Sequence, residues 1–147
     1  MKFKLNIVPG CEEVIEATVQ MRSTLTDRIE QMVLRYTGED QLPAYTEDDM
    51  LLLRYGDIEC IRVMDGKTWA SDKNGKDYRV KMRLSELEER LPQCFIRINK
   101  SALANEQHLI RFAAAFSGAV DAVFRSGRKE YVSRRCYAQI KRRYTEK

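Results

Sequence analysis

Between Leu42 and Val132 the chain is cut into runs of strand length, each closed by a turn signal. Leu42–Tyr45 and Met50–Arg54 flank the polar stretch Thr46-Glu47-Asp48-Asp49, and Ile58–Met64 leads into Asp65-Gly66. Lys67–Ser71 and Lys76–Lys81 flank Asn74-Gly75, a dipeptide that favours a tight hairpin because both its residues tolerate positive φ. Leu109–Ala115 and Ala119–Phe124 are parted by Ser117-Gly118, and Ser126-Gly127 turns the chain into Glu130–Val132. Many short strands, dense turns and few helices define a mainly β protein, α+β overall. One helix interrupts the strands at residues 84–91: Leu84, Leu87 and Leu91 share a face, Glu86, Glu88 and Glu89 face water, and Pro92 stops it.

Residues 95–105 are the segment around which the rest is arranged. In Phe95-Ile96-Arg97-Ile98, Ile96 and Ile98 point one way and Phe95 and Arg97 the other, which predicts a strand with one buried face. Asn99, Lys100 and Ser101 then offer hydrogen bonds and one charge, Leu103 returns to the core, and Asn105 is a turn former. A rigid strand thus delivers a polar loop to a fixed place, where binding proteins put their contacts. The alternation carries Arg97 away from the loop tip and favours a structural ion pair for it.

The first 38 residues differ in character. Residues 2–8 alternate Phe3, Leu5 and Ile7 with Lys2, Lys4 and Asn6, and Pro9-Gly10 ends the run. Residues 13–20 are rich in β-branched side chains and predict a second strand, with a helix as the competing reading. From Leu25 the period lengthens: Leu25, Ile29, Met32, Val33 and Tyr36 mark one helix face, with Thr24 as the cap, Asp27 three residues on and Gly38 as the stop. This predicts an N-terminal appendage, residues 1–38, serving packing or dimerisation, followed by a main domain over residues 42–147.

Charge divides the same way. Residues 1–57 hold 6 basic and 11 acidic side chains, net −5, whereas residues 58–147 hold 20 and 11, net +9. A concentrated positive domain suits a polyanion. At the C-terminus Ser133 stands where a helix cap belongs, Tyr137, Ile140 and Tyr144 form a buried stripe, and Arg134, Arg135, Lys141, Arg142 and Arg143 make the helix basic. Cys11, Cys60, Cys94 and Cys136 are too scattered for a metal knuckle and read as small buried hydrophobes. His108 is the single histidine, and no phosphate loop or nucleophile elbow occurs. Three acids such as Glu59, Asp65 and Asp72 could be grouped into a metal-nuclease site only by free choice among 22. The expectation is a non-enzyme without cofactor, metal or small-molecule substrate. With no apolar run of membrane-spanning length and no signal-peptide core, it is expected in the cytoplasm.

Phe95-Ile-Arg-Ile-Asn-Lys-Ser-Ala-Leu-Ala-Asn105 resembles the signature of the LytTR-type DNA-binding domain, Phe-x-Arg-x-(His/Asn)-x-Ser-x-x-x-Asn. Val132-Ser-Arg-Arg-Cys-Tyr137 resembles a second family segment. Asp57-Ile-Glu-Cys-Ile61 with Asp65-Gly66-Lys67, and the Leu-rich helix at 84–91, match two more, so the likeness spans residues 42–144. The resemblance implies a short-stranded β-core with a C-terminal basic helix. It further implies a bacterial transcriptional regulator without a receiver domain that binds double-stranded promoter DNA at imperfect direct repeats, in successive major grooves, with bending. Lys67, Asn99, Lys100 and Arg135 become candidate base contacts. Ser101, Arg125, Arg128, Lys129, Arg134, Lys141, Arg142 and Arg143 become candidate phosphate contacts. Self-association on DNA and a restraining membrane protein are expected partners. The rival reading is a protein-interaction or signalling module whose basic face takes an acidic partner. Ala102 and Ala104 replace the larger aliphatics common in the family.

Overall fold

The computed structural model describes residues 1–114 and 117–145. Its elements are helix α1 (Thr24–Thr37), strands β1 (Gln41–Tyr45), β2 (Met50–Arg54), β3 (Ile58–Met64), β4 (Lys67–Asp72) and β5 (Asp77–Val80), helix α2 (Leu84–Arg90), strands β6 (Phe95–Asn99), β7 (Ala102–Asn105), β8 (Leu109–Ala114), β9 (Val120–Phe124) and β10 (Lys129–Val132), and helix α3 (Arg134–Thr145). The mainly β expectation holds, and the main-domain strands that were expected fall within a residue or two of their bounds, while β7 was not expected as a strand. Ala115, which the sequence assigned to the end of β8, lies outside the described residues. No helix is long and apolar enough to cross a membrane among the described residues.

Seven strands form an antiparallel sheet in the order β2-β1-β5-β4-β3-β7-β6, and a second sheet has the order β10-β9-β8. Two apolar cores lie on opposite faces of the large sheet. One gathers Leu42, Tyr55, Ile58, Ile61 and Leu103 under Leu84, Leu87 and Leu91 of α2. The other packs Cys60, Ile96, Ile98, Ala102 and Ala104 against Ala122 and Phe124 of the small sheet and Ile140 of α3. The expectation of one buried face on β6 is therefore corrected: Phe95 joins the α2 core while Ile96 and Ile98 join the other, so both faces are covered.

Asn105 forms the turn expected of it, and does so from a buried position. It is fully buried at the end of β7; its Nδ2 donates to Ile58 O at 2.9 Å and its Oδ1 accepts from Gln107 N at 3.0 Å. It thereby starts the short 3-10 turn Glu106–His108 and ties that turn to the start of β3.

The N-terminal expectations fare differently. α1 exists and Gly38 closes it, its N–H donating to Arg35 O at 3.3 Å. The cap, however, is Ser23 rather than Thr24: Ser23 Oγ accepts from Thr26 N at 3.4 Å and Thr26 Oγ1 accepts from Ser23 N at 2.9 Å, while Asp27 turns aside to Arg22 at 2.7 Å. Of the expected apolar stripe, Leu25, Met32 and Tyr36 are exposed, because α1 docks through Leu34 and through polar contacts of Arg22 and Glu30. Residues 2–8 and 13–20 form no strands; their apolar side chains, Phe3 at 90% and Ile7 at 83%, stand in water with no neighbouring strand to cover them. Tyr144 is likewise exposed rather than buried, although its hydroxyl meets Glu106.

Cys60 and Cys94 are buried, and desolvation pushes both thiols up to about 12. Cys11 is exposed, against the expectation that all four cysteines are buried. Iodoacetamide on the native protein is therefore expected to label Cys11 first, and Cys60 and Cys94 only on unfolding; peptide mass mapping checks this. Asn105→Ala leaves buried backbone groups unpaired and is expected to cost about 2–4 kcal/mol in urea unfolding.

Candidate nucleic-acid interface

Three segments distant in sequence meet at one edge of the large sheet. The first is the β3–β4 hairpin, where Met64 pairs with Lys67 across a two-residue turn. Asp65 (φ 53°) and Gly66 (φ 75°) both occupy the left-handed region, as the tight turn that matches strand twist requires. β3 lies beside β7 with Arg62 opposite Ala102, and Val63 N donates to Ser101 O at 2.8 Å. The hairpin tip is thereby set next to the second segment, the β6–β7 loop. There Asn99 Oδ1 accepts from Ser101 N at 2.7 Å, closing the loop.

The third segment is the β10–α3 junction. Asn99 Nδ2 donates to Tyr131 O at 2.7 Å, and Ser133 N donates to Ile98 O at 2.8 Å. Ser133 caps α3 as expected, its Oγ accepting from Cys136 N at 3.2 Å. Arg134 and Arg135 follow in the first helical turn, both exposed. Lys67, Lys100 and Arg135, one from each segment, are exposed, and their side chains have no hydrogen-bond or ion-pair partner among the described residues.

Arg97 organises the loop. Its Nε donates to Asn99 O at 2.8 Å, one terminal nitrogen donates to Lys100 O at 2.6 Å, and the other pairs with Glu88 of α2 at 2.6 Å. The structural ion pair expected for it is present, but Arg97 reaches the loop instead of avoiding it.

The remaining candidates do not all share this edge. Asn99 has both amide atoms engaged internally, which closes the loop and ties it to β10. Ser101 is exposed within that loop, and Lys129 is exposed on β10. Lys141 shares a cleft with Tyr131, Arg134 and the Ser117-Gly118 turn, which places it near the edge, and Arg142 is exposed beyond it. Arg125 and Arg128 belong to the β9–β10 turn, which is held at the other end of β3: Ser126 Oγ donates to Glu59 at 2.6 Å, and Arg125 N donates to His108 O at 2.9 Å. At strand rise, Glu59 stands about 16 Å from the hairpin tip. Arg128 meets Glu59 at 3.6 Å, Asp77 at 3.4 Å and Glu130 at 3.5 Å. Arg143 pairs with Glu106 at 2.9 Å and donates to Gln93 O at 3.3 Å, also at the far end. Burial raises the Glu106 carboxyl above its ordinary range.

Sequence reasoning missed Arg62, which meets Glu130 at 3.1 Å and Asp77 at 3.4 Å and joins Arg128 in a network between the two sheets. Its signal was that β3 carries two opposite charges, Glu59 and Arg62, among apolar residues. Of the acids that a nuclease would need, Glu59 is in this network, and Asp72 accepts Asn74 N at 2.9 Å and Lys76 N at 3.0 Å to shape the β4–β5 hairpin.

The model of the LytTr DNA-binding domain matches residues 48–145. The chain belongs to the LytTr DNA-binding domain family. A solved chain described as the LytTr DNA-binding domain of a methyl-accepting/DNA response regulator from Bacillus cereus superposes with a TM-score of 0.67 at 19% identity, covering 72% of this chain and 97% of that one. Proteins described as uncharacterized HTH-type transcriptional regulators, from Staphylococcus aureus strains MSSA476 and MW2, are each 26% identical over 145 residues, covering 96% of this chain and 97% of theirs. The LytTr-like architecture of this chain contains no helix pair joined by a short turn among the described residues, since strands separate α1, α2 and α3 from one another. The family is a DNA-binding one and not an enzyme class.

Arg97→Ala removes the donors that hold both loop carbonyls. Hydrogen exchange at the Ser101 amide is expected to accelerate about tenfold, the equivalent of about 1.4 kcal/mol, with little change in global stability. Unchanged exchange would show that Asn99 alone sets the loop.

Proposed function

We propose that this chain is a transcriptional regulator that binds promoter DNA at imperfect direct repeats, with its three-segment edge reading the major groove. The observation that carries this is the convergence of Lys67, Lys100 and Arg135. Three cations from separate segments are exposed together on hydrogen-bonded supports, while Arg128 and Arg143 are tied to carboxylates at the far end. Lysine and arginine bond the acceptor atoms of guanine in the major groove, arginine through two donors at once. Arg134 and Lys141 flank these three and take phosphates, which fix register without reading sequence; Lys129 stands beside Arg128 at the start of β10, away from them. Direct repeats about one helical turn apart let two copies use one face of the duplex, and bending brings the flanking cations into contact.

The test is a titration of the protein against a duplex of its own upstream region and a shuffled control at several salt concentrations. Lys100→Ala and Arg135→Ala are expected to lose about 1–3 kcal/mol on the native duplex and to narrow its advantage over the control. Arg143→Ala, at the far end, is expected to leave that advantage intact. Equal binding to both duplexes with a steep salt slope would reduce the edge to a basic surface. Absence of binding at low salt would replace this reading with a protein-interaction module.

A further inference from the structure

The exposed apolar surface is not spread evenly. Of the eighteen large hydrophobic side chains exposed among the described residues, twelve lie within residues 1–37. So many exposed apolar side chains in one segment leave it without an apolar partner inside this chain, which isolated exposed residues elsewhere on the surface do not. Leu25, Met32 and Tyr36 line the free face of α1, and Phe3, Leu5, Ile7, Val14, Ile15 and Val19 precede them.

The geometry points to a second copy of this chain as the occupant, joined through a sheet that neither copy can build alone. Residues 2–8 and 13–20 have strand-forming patterns, and a turn connects them: Cys11 N donates to Val8 O at 3.3 Å around Pro9 and Gly10, whose φ is 81°. That is the start of a hairpin, yet no ladder follows it. A lone two-stranded hairpin is marginal in water, and three or more strands with an apolar face are needed for stability. Two copies supply four strands and a shared apolar face.

Charge favours a second copy over an unrelated protein. The first segment carries Lys2 and Lys4; the second carries Glu13 and Glu16. A two-fold interface must be complementary to itself, and opposite charges on its two halves meet that condition. The location also fits. α1 is anchored by Arg22 to Gln93 O at 2.6 Å and by Glu30 to Gln93 N at 3.3 Å, just before β6 begins. The Lys100 loop stands at the opposite end of β6, so pairing through the N-terminal segments leaves both loop edges uncovered. Residues 1–38 are on this reading the self-association unit, and residues 42–147 the DNA-binding domain.

Sedimentation velocity on the full chain without DNA tests this independently of any operator. The wild type is expected to be a dimer in the micromolar range. Leu5→Glu with Ile7→Glu is expected to give a monomer that loses the strand signal of the shared sheet but keeps the unfolding midpoint of the main domain, because those side chains belong to neither core. Lys2→Glu with Lys4→Glu, and Glu13→Lys with Glu16→Lys, are each expected to weaken the dimer about tenfold, and all four together to restore it. A wild-type monomer at the highest soluble concentration overturns the inference, and so does a dimer that survives Leu5→Glu with Ile7→Glu.

Discussion

β7 gives the fold its main constraint. Ala102, Leu103, Ala104 and Asn105 are all buried, so neither face of the large sheet can be left to solvent at its centre. α2 covers one face through leucines. The other face must be covered by something that approaches closely, and Ala102 and Ala104 are small enough to admit Ala122 and Phe124 of the small sheet with Ile140 of α3. The same burial thus brings α3 to the sheet, and Ser133 N to Ile98 O fixes where its first turn lies. The basic edge follows from core packing rather than from any attraction among its cations, which would repel one another.

Polar groups fix how the two sheets meet. Glu59 is 1% exposed and faces Arg128, and Arg62 and Arg128 share Asp77 and Glu130. Ser71 donates to Asp77 from β4. Removing such charges from water costs several kcal/mol per ion, so a network like this adds little net stability beyond what an apolar contact would provide. It supplies direction, since charged partners tolerate few relative positions of the sheets whereas alanine and phenylalanine tolerate many. It also lies next to Cys60, whose thiol is pushed up first by burial; Glu130 adds to that rise, and Arg128 and Arg62 oppose it.

The strands, hairpins and C-terminal helix were legible because each is local: Asn74-Gly75 makes its own turn, and Ser133 caps its own helix. Of the candidate cations, motif order alone brought Lys67, Lys100 and Arg135 together as exposed neighbours at one end of the sheet. What could not be read was long-range. Nothing near Arg128 in sequence announces Glu59 or Asp77, and nothing near Arg143 announces Glu106, so both looked as free as Lys100. The amide of Asn99 likewise looked available because its partner, Tyr131, lies across the second sheet. At the N-terminus the local patterns of residues 2–8 and 13–20 promised strands, but a strand needs a neighbour, and within one copy none is at hand.

Arg97 gives the β6–β7 loop a polarity. The carbonyls of Asn99 and Lys100 are turned onto its guanidinium, and the carboxamide oxygen of Asn99 is taken by Ser101 N. The acceptors of this loop are thus drawn toward the protein, and what remains outward is the Lys100 ammonium and the Ser101 hydroxyl. A surface whose carbonyl lone pairs are withdrawn presents only groups that can donate to an approaching phosphate or a groove lined with acceptors, since the Ser101 hydroxyl can turn its hydrogen outward. One buried-side cation sorts donors from acceptors for its neighbours, and so makes a short, weakly charged loop behave as a more electropositive one.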